Sequence, residues 1–295
     1  MKDICILTES RYLNPKNPNW YIQNILQEER LISVALSSFN ISCGREAWDL
    51  EFDIANYKHV LFRTTWNYFD KIDSFKLFLA KGQNIVKFIN PYPQIIWNLN
   101  KKYLIDLSKR GINIPDTVIV TKESFESLSH ICSRKKWKEI VIKPCTSAAA
   151  WNTYRIKIEE IENFEALFIN ILEENDMIVQ LFQNNVIHMG EISIMMLGGE
   201  YSHAVIKTVK SGDFRVQDDF GGKVDKYTPS KNEILFAEKV IQSCDFSPVY
   251  ARVDIIFDNN NQLSLSELEL IEPEMWFRFH EPAANRLAKV IHAYI

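Results

Sequence analysis

Glycine is scarce in this chain, with nine residues in 295 where average usage is roughly 7%. The five cysteines, Cys5, Cys43, Cys132, Cys145 and Cys244, are odd in number, scattered, and never in CxxC spacing. That excludes a disulfide frame or a zinc site and reads as free thiols in a reducing cytoplasm. Charge of one sign is not in excess: 34 Lys and Arg stand against 38 Asp and Glu, a net charge of −4. Composition therefore offers no electrostatic reason to expect nucleic acid or an anionic membrane as partner. No segment has the length of a transmembrane helix, and the opening MKDICILTES is too short an apolar run for a signal peptide. Repeats, low-complexity tracts and long linkers are also missing. What remains is 46% hydrophobic and 24% charged, with 12% aromatics. This is a globular composition, long enough for two or three compact lobes.

The first third alternates between strand and helix patterns. Ile4 to Thr8 and His59 to Thr65 (HVLFRTT) are apolar strand runs. Trp20 to Leu36 places Tyr21, Ile25, Leu26, Ile32 and Leu36 at near-helical spacing, and Asp70 to Gly82 predicts an amphipathic helix closed by Gly82. The rhythm predicts a parallel α/β lobe over 1–99. A second lobe over 100–182 reads as a helix ended by Gly111, a strand at Thr117 to Val120, a helix, the strand EIVIKP, a loop and a strand at Thr153 to Ile158. In the third lobe, 183–295, EISIMML and EYSHAVIK flank a two-glycine turn at Gly198 and Gly199. Ser230 to Glu233 is a capping box that opens a helix. YARVDIIFDNNNQLSLSELELI predicts a hairpin, and a last helix carries Leu287, Val290 and Ile291.

Chemistry gathers in that hairpin. Glu267 and Glu269 are two apart on a strand and share a face. Asp254, on the partner strand, is placed to meet them. Three hard oxygen donors on adjacent strands, in otherwise apolar surroundings, suit Mg2+; the alternative is a solvated acidic face. Mg2+ in such a site meets a nucleotide, so phosphate-binding cations are expected. Lys143 ends the apolar strand VIKP at a cleft edge. The small residues Ser147, Ala148, Ala149 and Ala150 that follow let the backbone approach a ligand, and Thr146, Ser147 and Thr153 offer hydroxyls. Lys207, Arg215 in DFRVQDDFGG and Arg252 add further cations.

In this order, VIKP with its small-residue loop, the Gly190–Glu191 strand, DFRVQ…GG and RVD…ELELIEP resemble the ATP-grasp superfamily. They are most similar to the branch near bacterial glutathione synthetase and the O-ureido-serine cyclo-ligase of cycloserine biosynthesis. RTTWNY (Arg63 to Tyr68) and WNLNKKYL (Trp97 to Leu104) are similar to that branch as well. The resemblance covers about residue 60 to the end and, more faintly, the first 60. It implies an α/β protein of α+β lobes, an ATP-grasp fold preceded by a parallel α/β substrate lobe.

The resemblance also implies roles. Lys101, or its neighbour Lys102, contacts ATP phosphate, and Lys143 is the second nucleotide lysine. Thr146 to Thr153, Ala148 included, match the mobile loop over the phosphates; alanines stand where many relatives have glycine, which implies a stiffer lid. Gln180, Leu181 and Phe182 match the hinge beside adenine, and Glu191 the strand that reaches ribose or the loop. Arg215 steadies the transferred phosphoryl group, with Lys207 and Arg252 as further catalytic cations. Asp254, Glu267 and Glu269 hold Mg2+ or Mn2+, so the site without metal and nucleotide is expected to be strained and loosely ordered. Arg63, Trp66, Tyr68 and Glu272 are expected to face the substrates, Arg63 as a bidentate carboxylate holder.

The implied reaction is ATP-dependent ligation of a small-molecule carboxylate to an amine through an acyl-phosphate, on amino acids or small peptides or with ring closure. A ligase modifying a protein chain, a non-catalytic nucleotide-binding module, and plain surface charge at the three acids remain as alternatives. The acid and the nucleophile are not legible in the sequence. Neither is oligomeric state, although self-association is common among glutathione synthetase relatives.

Overall fold

The computed structural model describes residues 1–147, 151–209 and 222–295. Its strands are β1 (Lys2–Thr8), β2 (Cys43–Ala47), β3 (Tyr57–Thr64), β4 (Lys87–Ile89), β5 (Thr117–Val120), β6 (Glu139–Pro144), β7 (Tyr154–Lys157), β8 (Met177–Leu181), β9 (Glu191–Leu197), β10 (Glu200–Thr208), β11 (Lys223–Tyr227), β12 (Tyr250–Phe257) and β13 (Leu263–Glu269). They form three sheets, in the orders β2-β1-β3-β4, β5-β8-β6-β7 and β11-β10-β9-β12-β13. The first is parallel throughout, as the alternating pattern predicts; the other two are antiparallel. The expected parallel α/β first lobe is present, followed by two antiparallel sheets.

Apolar burial joins the first sheet to the third. Ile4, Ile6 and Leu61 share one cluster with Met195, Val205 and Tyr250, and with Leu287 and Ile291 of the last helix, Pro282–Tyr294. The second sheet has its own cluster, in which Ile140, Ile156 and Val179 pack against Ile131 and Phe168 of the helices Leu128–Lys135 and Ile161–Leu172. The site described below lies where these lobes meet.

The expected capping box is present: Ser230 accepts from the Glu233 N–H at 3.4 Å and Glu233 accepts from the Ser230 N–H at 2.5 Å. The helix expected from Asp70 begins at Ile72, behind a 3-10 turn at Tyr68–Lys71. Edge strand β13 is held along its open side. Asn98 donates to the Leu268 carbonyl at 2.8 Å and accepts from the Leu270 N–H at 2.8 Å. The Tyr103 hydroxyl accepts from the Leu268 N–H at 3.0 Å. These contacts satisfy a sheet edge that would otherwise invite a foreign strand, and they fix the height of Glu267 and Glu269. Among the described residues no helix is long and apolar enough to cross a membrane.

His203 on β10 has a legible tautomer. Its Nε2 donates to the Met275 carbonyl at 2.7 Å, leaving Nδ1 to accept from the Ser202 hydroxyl at 3.0 Å. Burial pushes its pKa from 6.5 down to about 4, with His280 acting in the same direction. Between those values the unfolded chain binds a proton that the native chain refuses, so stability falls as pH drops from 6.5 towards 4. The loss amounts to about 3 kcal/mol at 1.36 kcal/mol per unit. His203→Gln is expected to flatten that limb of a Tm-against-pH curve. An unchanged limb would mean that the fold accommodates the charged ring.

Candidate active site

In the β12–β13 ladder Asp254 pairs with Glu267 and Arg252 with Glu269, so period-2 alternation puts all four side chains on one face. One carboxylate oxygen each from Asp254, Glu267 and Glu269 lies within 4.8 Å of the others. They line a cavity of about 550 Å³ together with Lys101, Lys143, Lys207 and Arg252.

Each acid is met by a cation of the chain. Arg252 Nε donates to Asp254 Oδ1 at 3.0 Å, and its Nη2 to Asp254 Oδ2 at 2.9 Å and to Glu269. Lys207 Nζ contacts Asp254 at 3.1 Å and also Glu191. Lys101 Nζ contacts Glu267 at 2.7 Å and the Ser147 carbonyl at 2.8 Å. The three acids are thus compensated by cations of the chain itself, Lys207 and Arg252 on strands β10 and β12 and Lys101 in the turn before the helix Tyr103–Lys109.

The compensation is uneven. Burial would raise Asp254, but Arg252 and Lys207 outweigh it and hold the carboxyl at about 2. For Glu269, burial and the like charges of Glu267 and Asp254 outweigh Arg252, and the carboxyl rises to about 7. Burial and Glu269 carry Glu272 to about 8. Lys143 is pushed down by burial, with Lys101 adding to the effect. These are groups of opposite tendency lining one cavity, as at sites that handle charge.

Glu191 owes its position to the residue before it. Gly190 has φ +74, and a Cβ there would stand 2.5 Å from the Lys207 carbonyl oxygen. Glycine lets β9 run close to β10, where Glu191 pairs with Lys207, and the Ser266 hydroxyl donates to Glu191 at 2.7 Å.

Most of the sequence-predicted residues converge on this cavity. Ser147, Thr153, Glu191, Trp66, Tyr68 and Glu272 line it with the three acids and the lysines. Lys101 and Lys102 are separated: Lys101 faces the acids, while Lys102 Nζ binds Asp176 at 2.5 Å and does not line the cavity. Thr146 is half-buried and off the lining. Gln180 and Leu181 end β8 outside it, and Phe182 follows; Gln180 donates to Thr117 at 2.8 Å and Arg155 stacks 3.9 Å above the Phe182 ring. Arg215 and Ala148 lie outside the described residues.

Arg63 is a correction. It does not line the cavity; it is 1% exposed, with Nη2 donating to Glu28 at 2.5 Å and to the Pro273 carbonyl at 2.5 Å. A guanidinium at the carboxyl end of a parallel strand looks the same in sequence whether it meets a ligand or a buried glutamate. Arg11 and Tyr12, by contrast, line the cavity and were missed. They follow β1, and ligands of open parallel sheets bind beyond the carboxyl ends of the strands. That rule was the available signal. Trp276 was missed as well.

Comparison with known proteins identifies a family. The family model described as prokaryotic glutathione synthetase, ATP-grasp domain, matches residues 104–267, and that of the D-cycloserine synthetase DcsG N-terminal domain matches residues 4–90. The chain belongs to the ATP-grasp family of the prokaryotic glutathione synthetases. It is an ATP-dependent C–N ligase that joins a carboxylate to an amine. Among its relatives, the cycloserine biosynthesis protein DcsG of Streptomyces lavendulae is 25% identical over 255 residues, 81% of this chain and 84% of the relative. The crystal structure of D-cycloserine synthetase DcsG superposes with TM-score 0.87 at 21% identity, covering 99% of both chains. D-alanine–D-alanine ligase from Bacillus anthracis, complexed with ATP, superposes at 0.65 with 12% identity over 99% of this chain and 96% of the other. Macrocyclase MdnC from Microcystis aeruginosa, bound with precursor peptide MdnA, gives 0.65 at 13% identity over 99% and 100%.

Proposed function

We propose that this ligase activates a substrate carboxylate as an acyl-phosphate and transfers the acyl group to an amine, on amino acids or small peptides. One observation carries the reading. The four cations and three acids suited to phosphoryl chemistry share a single cavity of about 550 Å³ with Trp66 and Tyr68 of the N-terminal lobe. Phosphate and organic substrate are thereby brought face to face, in a volume that suits small molecules.

The donor set fits a hard divalent ion: three carboxylates and no sulfur or imidazole. Asp254, Glu267 and Glu269 would hold Mg2+, which when bound supplies neutralisation of the phosphoryl oxygens. Lys101 and Lys143 hold phosphate by charge, and Lys207 and Arg252 offset the negative charge that builds on the transferred group. In the first step a carboxylate oxygen bonds to the γ-phosphorus and the bond to ADP breaks. In the second, the amine nitrogen bonds to the acyl carbon, phosphate leaves with the bonding electrons, and the amine proton passes to solvent.

Ring closure within one amino-acid derivative is the narrower form of this reading. It is supported by the N-terminal match to the D-cycloserine synthetase domain over residues 4–90, the lobe that carries Trp66 and Tyr68.

The test is phosphate release from ATP and Mg2+ with pools of L-amino acids, D-amino acids and dipeptides, beside an Asp254→Ala/Glu269→Ala control. Pool-dependent release that the control lacks is the expected result, and subdividing the pool names the substrates. Silence in every pool, with ATP still raising Tm only when Mg2+ is present, would remove the small-substrate reading and turn attention to a peptide chain.

A further inference from the structure

Trp276 combines three features that the ligase reading does not use. Its φ of 48° and ψ of 41° place it in the left-handed region, which a bulky aromatic residue rarely adopts. It is 4% exposed and lines the cavity. Its indole Nε1 is buried with no hydrogen-bond partner among the described residues, although a buried indole N–H usually finds one.

The conformation is imposed by neighbours. The Glu28 carboxylate accepts the N–H groups on both sides of Trp276, from Met275 at 3.0 and 3.1 Å and from Phe277 at 3.3 Å. Arg63 holds both Glu28 and the Pro273 carbonyl. His203 holds the Met275 carbonyl. These hydrogen bonds fix the backbone on either side of Trp276. Unfavourable backbone geometry that packed surroundings over-determine is characteristic of ligand-positioning sites.

The charges beside the ring define what the free donor can take. The Arg252 guanidinium lies 4.9 Å and the Lys207 ammonium 5.6 Å from the ring centroid. Both keep donors in reserve. Among the described residues, Lys207 meets two carboxylates with its three hydrogens, and Arg252 Nη1 reaches only the Glu274 carbonyl at 3.4 Å. An acceptor that satisfies the indole and also gains from these cations is an anionic oxygen, of a carboxylate or of the phosphoryl group, and the nucleotide arm of the test below tells the two apart.

We propose that Trp276 is a substrate-binding residue whose indole N–H donates to a carboxylate oxygen of an amino-acid substrate, with Glu28, Arg63 and His203 as the positioning residues that hold it. The choice of an amino acid rests on the ligase reading.

Trp276→Phe keeps an aromatic face for the two cations and removes the N–H. Binding of D- and L-alanine and D- and L-serine is measured by saturation-transfer NMR on wild type and variant, with a non-hydrolysable ATP analogue and Mg2+ present. A lost hydrogen bond to a charged group corresponds to about tenfold or more in affinity. We expect that loss for the amino acid, with affinity for the nucleotide analogue changed less than about twofold on the same scale. Equal amino-acid affinity in both proteins, or no binding of any of the four by wild type, overturns the proposal. Should Trp276→Phe fail to fold, Glu28→Gln is measured in the same way. It is expected to weaken amino-acid binding and spare the nucleotide, and unchanged amino-acid affinity there overturns the proposal equally. Phosphate release is read separately: binding that depends on Trp276 without turnover would remove ligation and leave this assignment in place.

Discussion

Replacing Arg63 by methionine is expected to lower folding stability by about 3–5 kcal/mol, the usual cost of removing one partner from a buried ion pair. In a chain of this size that corresponds to a fall of roughly 10 °C in Tm. The reason lies in what the guanidinium joins. Arg63 is 1% exposed, sits 5.6 Å from the centroid of the Tyr250 ring, and ties Glu28 of the helix Trp20–Ser37 to the Pro273 carbonyl. Its Nε and Nη1 are buried without partners among the described residues, so its desolvation is met largely by those contacts. Methionine fills much of the volume but leaves the Glu28 carboxylate in an apolar setting with only backbone N–H groups for company. The segment carrying Glu272 and Glu274 into the cavity loses an anchor at the same time, so substrate KM should rise alongside the stability loss. A thermal melt and a substrate titration on Arg63→Met together decide the matter. Unchanged Tm with a raised KM would return Arg63 to the role of a ligand-holding residue, against its burial.

The contrast between Arg63 and the acid pair shows what sequence can reveal. Glu267 and Glu269 were legible because period-2 spacing fixes their face whatever the rest of the chain does, and Asp254 because its hairpin is local. The parallel first sheet was legible from its alternation of apolar runs and amphipathic helices. Strands β2, CGREA, and β4, KFI, were not: they are short and partly polar, and pairing with β1 and β3 supplies what their own sequence lacks. Lys101 and Lys102 are adjacent, so their separation depends on Ser147 and Glu267 on one side and Asp176 on the other. Trp276 was invisible for a similar reason. Its backbone is set by Glu28, 248 positions away in the chain, and no local pattern announces that contact.

Glu269→Gln is expected to lower turnover by about 10³-fold, corresponding to several kcal/mol of lost charge stabilisation, without lowering the Tm of the metal-free protein. The two halves of that expectation have different origins. Glu269 is the carboxylate on which burial and repulsion from Glu267 and Asp254 outweigh the attraction of Arg252. A neutral amide of the same shape removes a repulsion among three acids and still leaves Arg252 paired with Asp254. Asp254→Asn is expected to behave differently although it also removes one acid. Asp254 is 1% exposed and is the group on which Arg252 and Lys207 converge. Its neutralisation leaves two buried cations short of charge, so Tm should fall along with turnover. Thermal melts in chelator, paired with phosphate release in Mg2+, separate the two variants. Retained turnover in Glu269→Gln would remove Glu269 from the metal set. A fall in its metal-free Tm equal to that of Asp254→Asn would mean that Glu269 acts mainly as a partner of Arg252. Under the expected result, the chain keeps an acid whose charge disfavours the resting fold, because a divalent ion at the same place makes that charge useful.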